Sequence, residues 1–132
     1  MGTYITQTDI ENFYGTNNVT QWSNLDNSTA SANTTRIDAG IAWAEAYVQD
    51  RLRGLRYEIP FSGASITTLE DIIAALAGHW LYKSRGDNDT AIDAKMAIHK
   101  AEADSLLAQI ASGQLQLDLA LNHSGPSAPV VV

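Results

Sequence analysis

The chain has 132 residues, no cysteine and a net charge of −7, with 45% hydrophobic and 17% charged residues. That balance belongs to one globular domain with a modest core. The lack of cysteine excludes disulfides and thiolate metal sites, and the net charge argues against a basic surface that grips nucleic acid through its phosphates.

No apolar run approaches the length of a membrane span. The opening MGTYITQTD lacks a basic segment followed by an apolar core, so no secretory signal is expected. Residues 1–6 fit the loose myristoylation pattern, but nothing else in the chain points to a membrane anchor. Thr8 and Glu11 make a T-x-x-E capping box ahead of a short helix, Asp9–Tyr14, that Gly15 stops. Ile10, Phe13 and Tyr14 give this helix its apolar side. Val19 and Trp22 anchor a short helical turn over Asn17–Ser23. Asn24–Thr35 follows as a polar loop. A calcium loop starting at Asp26 fails, because Ser28, Ala30 and Ser31 stand where carboxylates and a glycine are needed. The same test fails at Asp87, where Ala91 and Ile92 take those places. With no secretory signal expected, the sequons at Asn18, Asn27, Asn33, Asn88 and Asn122 read as Asn/Ser/Thr-rich loops.

A long helix begins at Thr35 and is stopped by Gly54. At about 100° per residue, Ile37, Ile41, Ala44, Val48, Leu52 and Leu55 fall on one side. Ala39, Trp43, Ala46 and Tyr47 fall nearly opposite, and Asp38, Glu45, Gln49 and Arg53 run between them. A small monomer needs one apolar stripe on a helix. Two stripes mean either a central core helix or a second face that meets another subunit. Trp43 and Tyr47 fit both readings, since aromatic residues are also enriched at interfaces. A short extended segment with Tyr57, Pro60 and Phe61 follows.

Thr68, with Asp71 at the box position, caps the next helix, Leu69–Ser84. Leu69, Ile73, Leu76 and Trp80 form its core stripe, widened by Ile72 and His79. Its back of Ala74, Ala75, Ala77 and Gly78 lets another helix approach closely. His79 has Tyr82 and Lys83 at the positions where a metal site on one helix needs a second ligand. His79 and His99 therefore read as core-edge histidines. Asp87–Thr90 is a turn and cap. The last helix runs from about Ala91 to Ala111, with Ile92, Met96, His99, Ala103, Leu106 and Ile110 on one stripe. Met96 is core filler. After Gly113, Leu115, Leu117, Leu119 and Leu121 alternate at the period of a half-buried strand. No other convincing strand is present to pair with it, and a lone strand leaves its backbone groups unmet. It packs as an extended arm on its own helices or adds to a neighbour. The tail 122–132, with Gly125, Pro126 and Pro129, reads as flexible until bound.

Arg36, Ile37, Asp38 and Ala39 open a helix that runs through Ala44, Ala46 and Val48 to Leu52 and ends in Gly54, Arg56, Tyr57, Pro60 and Phe61. This pattern resembles the Mu-like phage family of small head–tail connector, or head-completion, proteins. Tyr4, Thr6, Asp9, Ile10, Phe13 or Tyr14, and Gly15 match the family's usual start. Ile72 to Tyr82 with Lys83 and Arg85 is similar to its third helix, and the strand after Gly113 to its ending. The loop Ser62–Thr67 departs from the family in being less proline-rich.

The fold expected is all-α: a compact bundle of about four helices, two short or medium and two long, with an extended C-terminal arm. Residues 1–121 form the domain and 122–132 the tail. The resemblance implies a structural virion protein at the head–tail junction, assembled in the host cytoplasm. It implies a ring of about a dozen copies below the portal protein, extending the DNA channel and docking a tail-side stopper or tail-completion protein. Double-stranded DNA would pass without sequence recognition, and an acidic wall would keep the duplex from sticking. Trp43, Tyr47, Leu115, Leu117, Leu119 and Leu121 are the candidate subunit or portal contacts. No catalytic residues, metal ligands, cofactor or membrane association are expected. The alternative is a small acidic helical module that binds and regulates a partner, with mimicry of the charge of DNA as one route. A mimic concentrates its carboxylates on one face, whereas Asp and Glu are scattered over all the helices here. An enzyme would require a pocket of convergent polar groups with a strongly shifted pKa.

Overall fold

In the computed structural model, which describes residues 2–24, 31–55, 57–63, 66–85, 90–117 and 119–121, five helices pack together. They are α1 (Gln7–Tyr14), α2 (Thr16–Ser23), α3 (Thr34–Leu52), α4 (Ile66–Arg85) and α5 (Thr90–Ser112). The all-α reading holds, with the turn at Val19 and Trp22 extended into a full two-turn helix. Residues 25–30, Arg56, 87–89 and the tail 122–132 lie outside the described residues, and with them the polar loop's centre, one motif residue, most of the turn before α5 and the expected flexible segment.

Three local readings are corrected. The capping box of α1 pairs Thr6 with Asp9, not Thr8 with Glu11. The Asp9 carboxylate accepts from the Thr6 amide at 2.8 Å and the Thr6 hydroxyl at 3.3 Å. The reason is tertiary: Ile5 is fully buried, so the chain must turn into the helix directly after it. Helix α4 starts at Ile66, so Thr68 lies within its first turn rather than capping it. Ile66 packs against the core and its amide donates to the Gly63 carbonyl at 3.3 Å. In α5 the buried position is Leu107, and Leu106 is half-buried. An ideal helix drifts against a strict 4-3 repeat, so a stripe held over five turns does not stay on one face.

The centre of the molecule is α4, not α3. It packs against each of the other four helices, and Ile72 to Gly78 are buried without a break. The small residues at its back allow this. The Tyr14 ring of α1 lies where a Cβ on Gly78 would sit, and the Tyr14 hydroxyl donates to the Ala75 carbonyl at 2.6 Å. On the other side, a Cβ at Gly40 of α3 would approach the Trp80 ring at 3.0 Å. Helix α3 then buries one stripe, Ile37, Ile41, Ala44, Val48 and Leu52, on α4 and its neighbours, as the wheel requires. The chain reverses between α1 and α2 at Gly15, whose φ of 95° suits a residue without a Cβ.

His79 sits half-buried on α4, at the core edge as expected. Burial, together with the charges of Lys100 and Lys83, holds its imidazole below the ordinary 6.5 against the opposing pull of Asp104. The unfolded chain therefore takes up a proton that the folded chain resists. Stability is expected to fall as pH drops from about 7 through 6.5 towards the lower folded pKa. Urea midpoints of the wild type and His79→Gln across that window check this, since the variant should lose the slope.

Candidate functional site

The residues singled out from sequence fall into two groups. Trp43 and Tyr47 stand one turn apart on α3 with their rings stacked, centroids 5.0 Å apart and planes 27° from parallel. Both are half-buried, while Ala39, Ala42 and Ala46 around them are exposed. The Tyr47 hydroxyl donates to Asp104 of α5 at 2.8 Å and accepts from Arg51 at 2.6 Å. The Arg51 guanidinium lies 4.5 Å from the Tyr47 ring centroid and the Lys100 ammonium 5.3 Å. Lys100 also pairs with Asp104 at 2.6 Å. Burial tends to raise the Asp104 carboxyl, but hydrogen bonds from Lys100 and Tyr47 and the nearby cations outweigh it and hold the group below its usual range. The ammonium of Lys100 is raised, chiefly by its hydrogen bond to Asp104 and against the opposing effect of burial. The cluster ties α3 to α5 at one end and leaves the Trp43 side open along α3.

The second group is the arm. Its partner lies in the same chain, correcting the reading that none was present. The segment 57–62 runs beside it: Tyr57 bridges Leu121 in antiparallel register, the Glu58 amide donates to the Ala120 carbonyl at 2.9 Å, and the Ala120 amide donates to the Ser62 carbonyl at 2.7 Å. The Leu117 amide donates to the Tyr57 hydroxyl at 2.6 Å. A partner of six residues interrupted by Pro60 has no period-2 pattern of its own, which is why alternation alone misses it. Leu119 is 6% exposed and belongs to the core, Leu115 and Leu117 are half-buried against it, and Leu121 is 41% exposed at the arm's end.

The motif residues have structural work. Arg36 donates to Ser84 at 2.6 Å and lies 4.8 Å from the Trp80 ring, joining the start of α3 to the end of α4. Tyr57 and Phe61 are buried, and Phe61 packs on Tyr4 with centroids 5.8 Å apart.

Glu45 was missed. On the wheel it belongs to the polar stripe of α3, yet it is only 9% exposed. Its carboxylate accepts from the amides of Thr3 (3.1 Å), Tyr4 (2.7 Å) and Ile5 (3.3 Å). Gln49, one turn on, donates to the Tyr4 hydroxyl at 2.9 Å, which also accepts from the Phe61 amide at 3.0 Å. The polar stripe is thus the seat of the N-terminal segment. The available signal was a polar stripe, Asp38, Glu45, Gln49 and Arg53, enclosed between two apolar ones.

Among the described residues, no three His, Asp or Glu side chains gather where a metal ion could sit. None of the described helices is long and apolar enough to cross a membrane. No curated protein matches the sequence. The family model described as Bacteriophage Mu, Gp36 matches residues 4–131, nearly the whole chain. The protein belongs to the bacteriophage Mu Gp36 family, and is a Mu-like phage protein.

Proposed function

We propose that the protein is a structural head–tail connector subunit, forming a ring of about a dozen copies beneath the portal of a tailed phage. The observation that carries this reading is the family match over residues 4–131, in a chain whose motifs resemble connector proteins from Tyr4 to about Leu119. In this reading it has no catalytic role and needs no cofactor. It is made in the host cytoplasm and resides in the virion, between the portal protein and a tail-side stopper or completion protein. DNA passes through its channel without being read, past subunits that each carry a net charge of −7.

Closing a ring is a heterologous assembly, so each subunit presents two different, complementary patches. The open side of Trp43 and Tyr47 and the exposed end of the arm at Leu121 suit that requirement. They lie on different segments; Trp43 and Tyr47 pack only in part against the protomer's core, and Leu121 is 41% exposed. Leu119 is already committed to that core and makes a poor probe of assembly.

The test adds purified protein to DNA-filled capsids that carry a portal but lack this protein, with the portal vertex imaged by electron microscopy. A new ring of density is expected with the wild type, and none with Trp43→Ala combined with Leu121→Asp, although that variant keeps its helicity. A bare vertex at saturating wild-type protein would overturn the reading and promote the acidic regulatory module.

A further inference from the structure

One surface feature belongs to neither patch. Between α4 and α5, at the end covered by α1, runs an open groove of about 220 Å³. Tyr82 near the end of α4 donates to Asp93 near the start of α5 at 2.6 Å, so the two helices are antiparallel. The groove follows both for two turns, from Thr68 to Ala75 and from His99 to Leu106, roughly 10 Å of helix. Its floor is apolar: Ile72, Ala75, Ala103 and Leu106. Phe13 stands at its mouth, 42% exposed, with its ring edge-on to His99 at 5.3 Å.

The rim is acidic. Asp71 and Glu102 line the groove, and Asp9, Glu70 and Asp71 line an adjoining depression on the other side of Phe13. Burial and the neighbouring charges of Asp9 and Asp71 hold the Glu70 carboxyl above its usual range. Clustered carboxylates beside an exposed aromatic, with Lys95 on the far side of Phe13 and His99, favour an occupant that brings cations. A second copy is poorly suited: the chain carries −7 overall, and of its described cations Arg36, Arg51, Arg53 and Lys100 already hold partners within the protomer, which leaves Lys83 and Lys95 to offer.

We infer that this groove docks a basic amphipathic helix of another protein, which seats one large apolar side chain beside Phe13 and sets lysines or arginines against Asp71, Glu102, Glu70 and Asp9. This is helix-in-groove recognition with charge setting the orientation. The inference does not depend on the ring, because it concerns a different face.

The probe is a synthetic helical peptide with leucine and phenylalanine on one face and lysine on the other. It is titrated into the full-length protein and followed by amide chemical shifts. Shifts are expected to centre on Phe13, Ile72, His99 and Leu106. Affinity should fall about tenfold in Asp71→Lys with Glu102→Lys. It should change little in Asp50→Lys with Glu58→Lys, which alters net charge equally on exposed sites away from the groove. Phe13→Ser, at an exposed position, should weaken binding with little loss of stability. Equal losses in the two charge-reversed pairs, or shifts spread over the whole surface, would overturn the proposal. So would a dimer that Phe13→Ser dissolves, because the occupant would then be a second copy.

Discussion

Glu45→Ala is expected to destabilise the protein by about 3 kcal/mol, lowering the thermal midpoint by roughly 10 °C in a chain of this size. Three amides of the N-terminal segment end on this one carboxylate, the shortest at 2.7 Å. Hydrogen bonds to a charged acceptor contribute about 1.5–3 kcal/mol, and donors left unpaired and away from water cost a further share. Alanine removes the acceptor for all three. The segment also carries Ile5, fully buried, and Tyr4, which holds Gln49 and Phe61. Loosening it therefore reaches the core and the segment that supports the arm. Glu45→Gln keeps one acceptor oxygen but turns a donor towards other donors, so an intermediate loss of about 1–2 kcal/mol is expected. Urea denaturation gives the energies, and hydrogen exchange at Thr3, Tyr4 and Ile5 locates them. A loss below about 0.5 kcal/mol for Glu45→Ala, with those amides still protected, would show that the carboxylate is not what holds the segment.

The second large effect is one of sign. Gly78 lies inside α4, where alanine in place of glycine normally stabilises a helix by about 1 kcal/mol. Here the added methyl would fall within the Tyr14 ring. Tyr14 has little freedom to withdraw: its hydroxyl is bonded to the Ala75 carbonyl at 2.6 Å, and its ring meets Trp22 at 5.4 Å and His99 at 5.7 Å. Overpacking costs about 1–3 kcal/mol, and displacing Tyr14 also breaks its hydrogen bond. Gly78→Ala is therefore expected to destabilise the wild type by about 2 kcal/mol and to stabilise a Tyr14→Ala background by about 1 kcal/mol. A double-mutant cycle measured by thermal unfolding reads both. The same sign in both backgrounds would remove the steric argument. Burial of the Tyr14 phenol also raises its pKa, so the ring is expected to stay protonated when exposed tyrosines ionise.

Periodicity reveals the local features of this chain and not its long-range contacts. The buried stripe of α3, the small-residue back of α4 and the stopping points at Gly15, Gly54 and Gly113 follow from side-chain spacing and backbone stereochemistry, which are local. The motifs from Arg36 to Phe61 likewise mark a Mu-like phage protein before any contact is known. Trp43 and Tyr47 were legible as a second face of α3, but the cations and Asp104 that gather around Tyr47 come from another turn and another helix.

The amino-acid sequence by itself determined the fold class, the long helices to within a few residues, and the family. Those depend on periodicity, caps and short motifs. The tertiary structure alone decided that α4 rather than α3 is the centre, because that depends on which small residues other helices press against. It decided that Glu45 is a buried acceptor, because three amides some forty residues away come to it. It decided that Leu117, Ala120 and Leu121 meet the segment from Tyr57 to Ser62, because an irregular partner gives no alternating signal. It also decided that acidic residues scattered along α1, α4 and α5 frame one groove and the depression beside it, since charges far apart in sequence become a surface only when the helices pack.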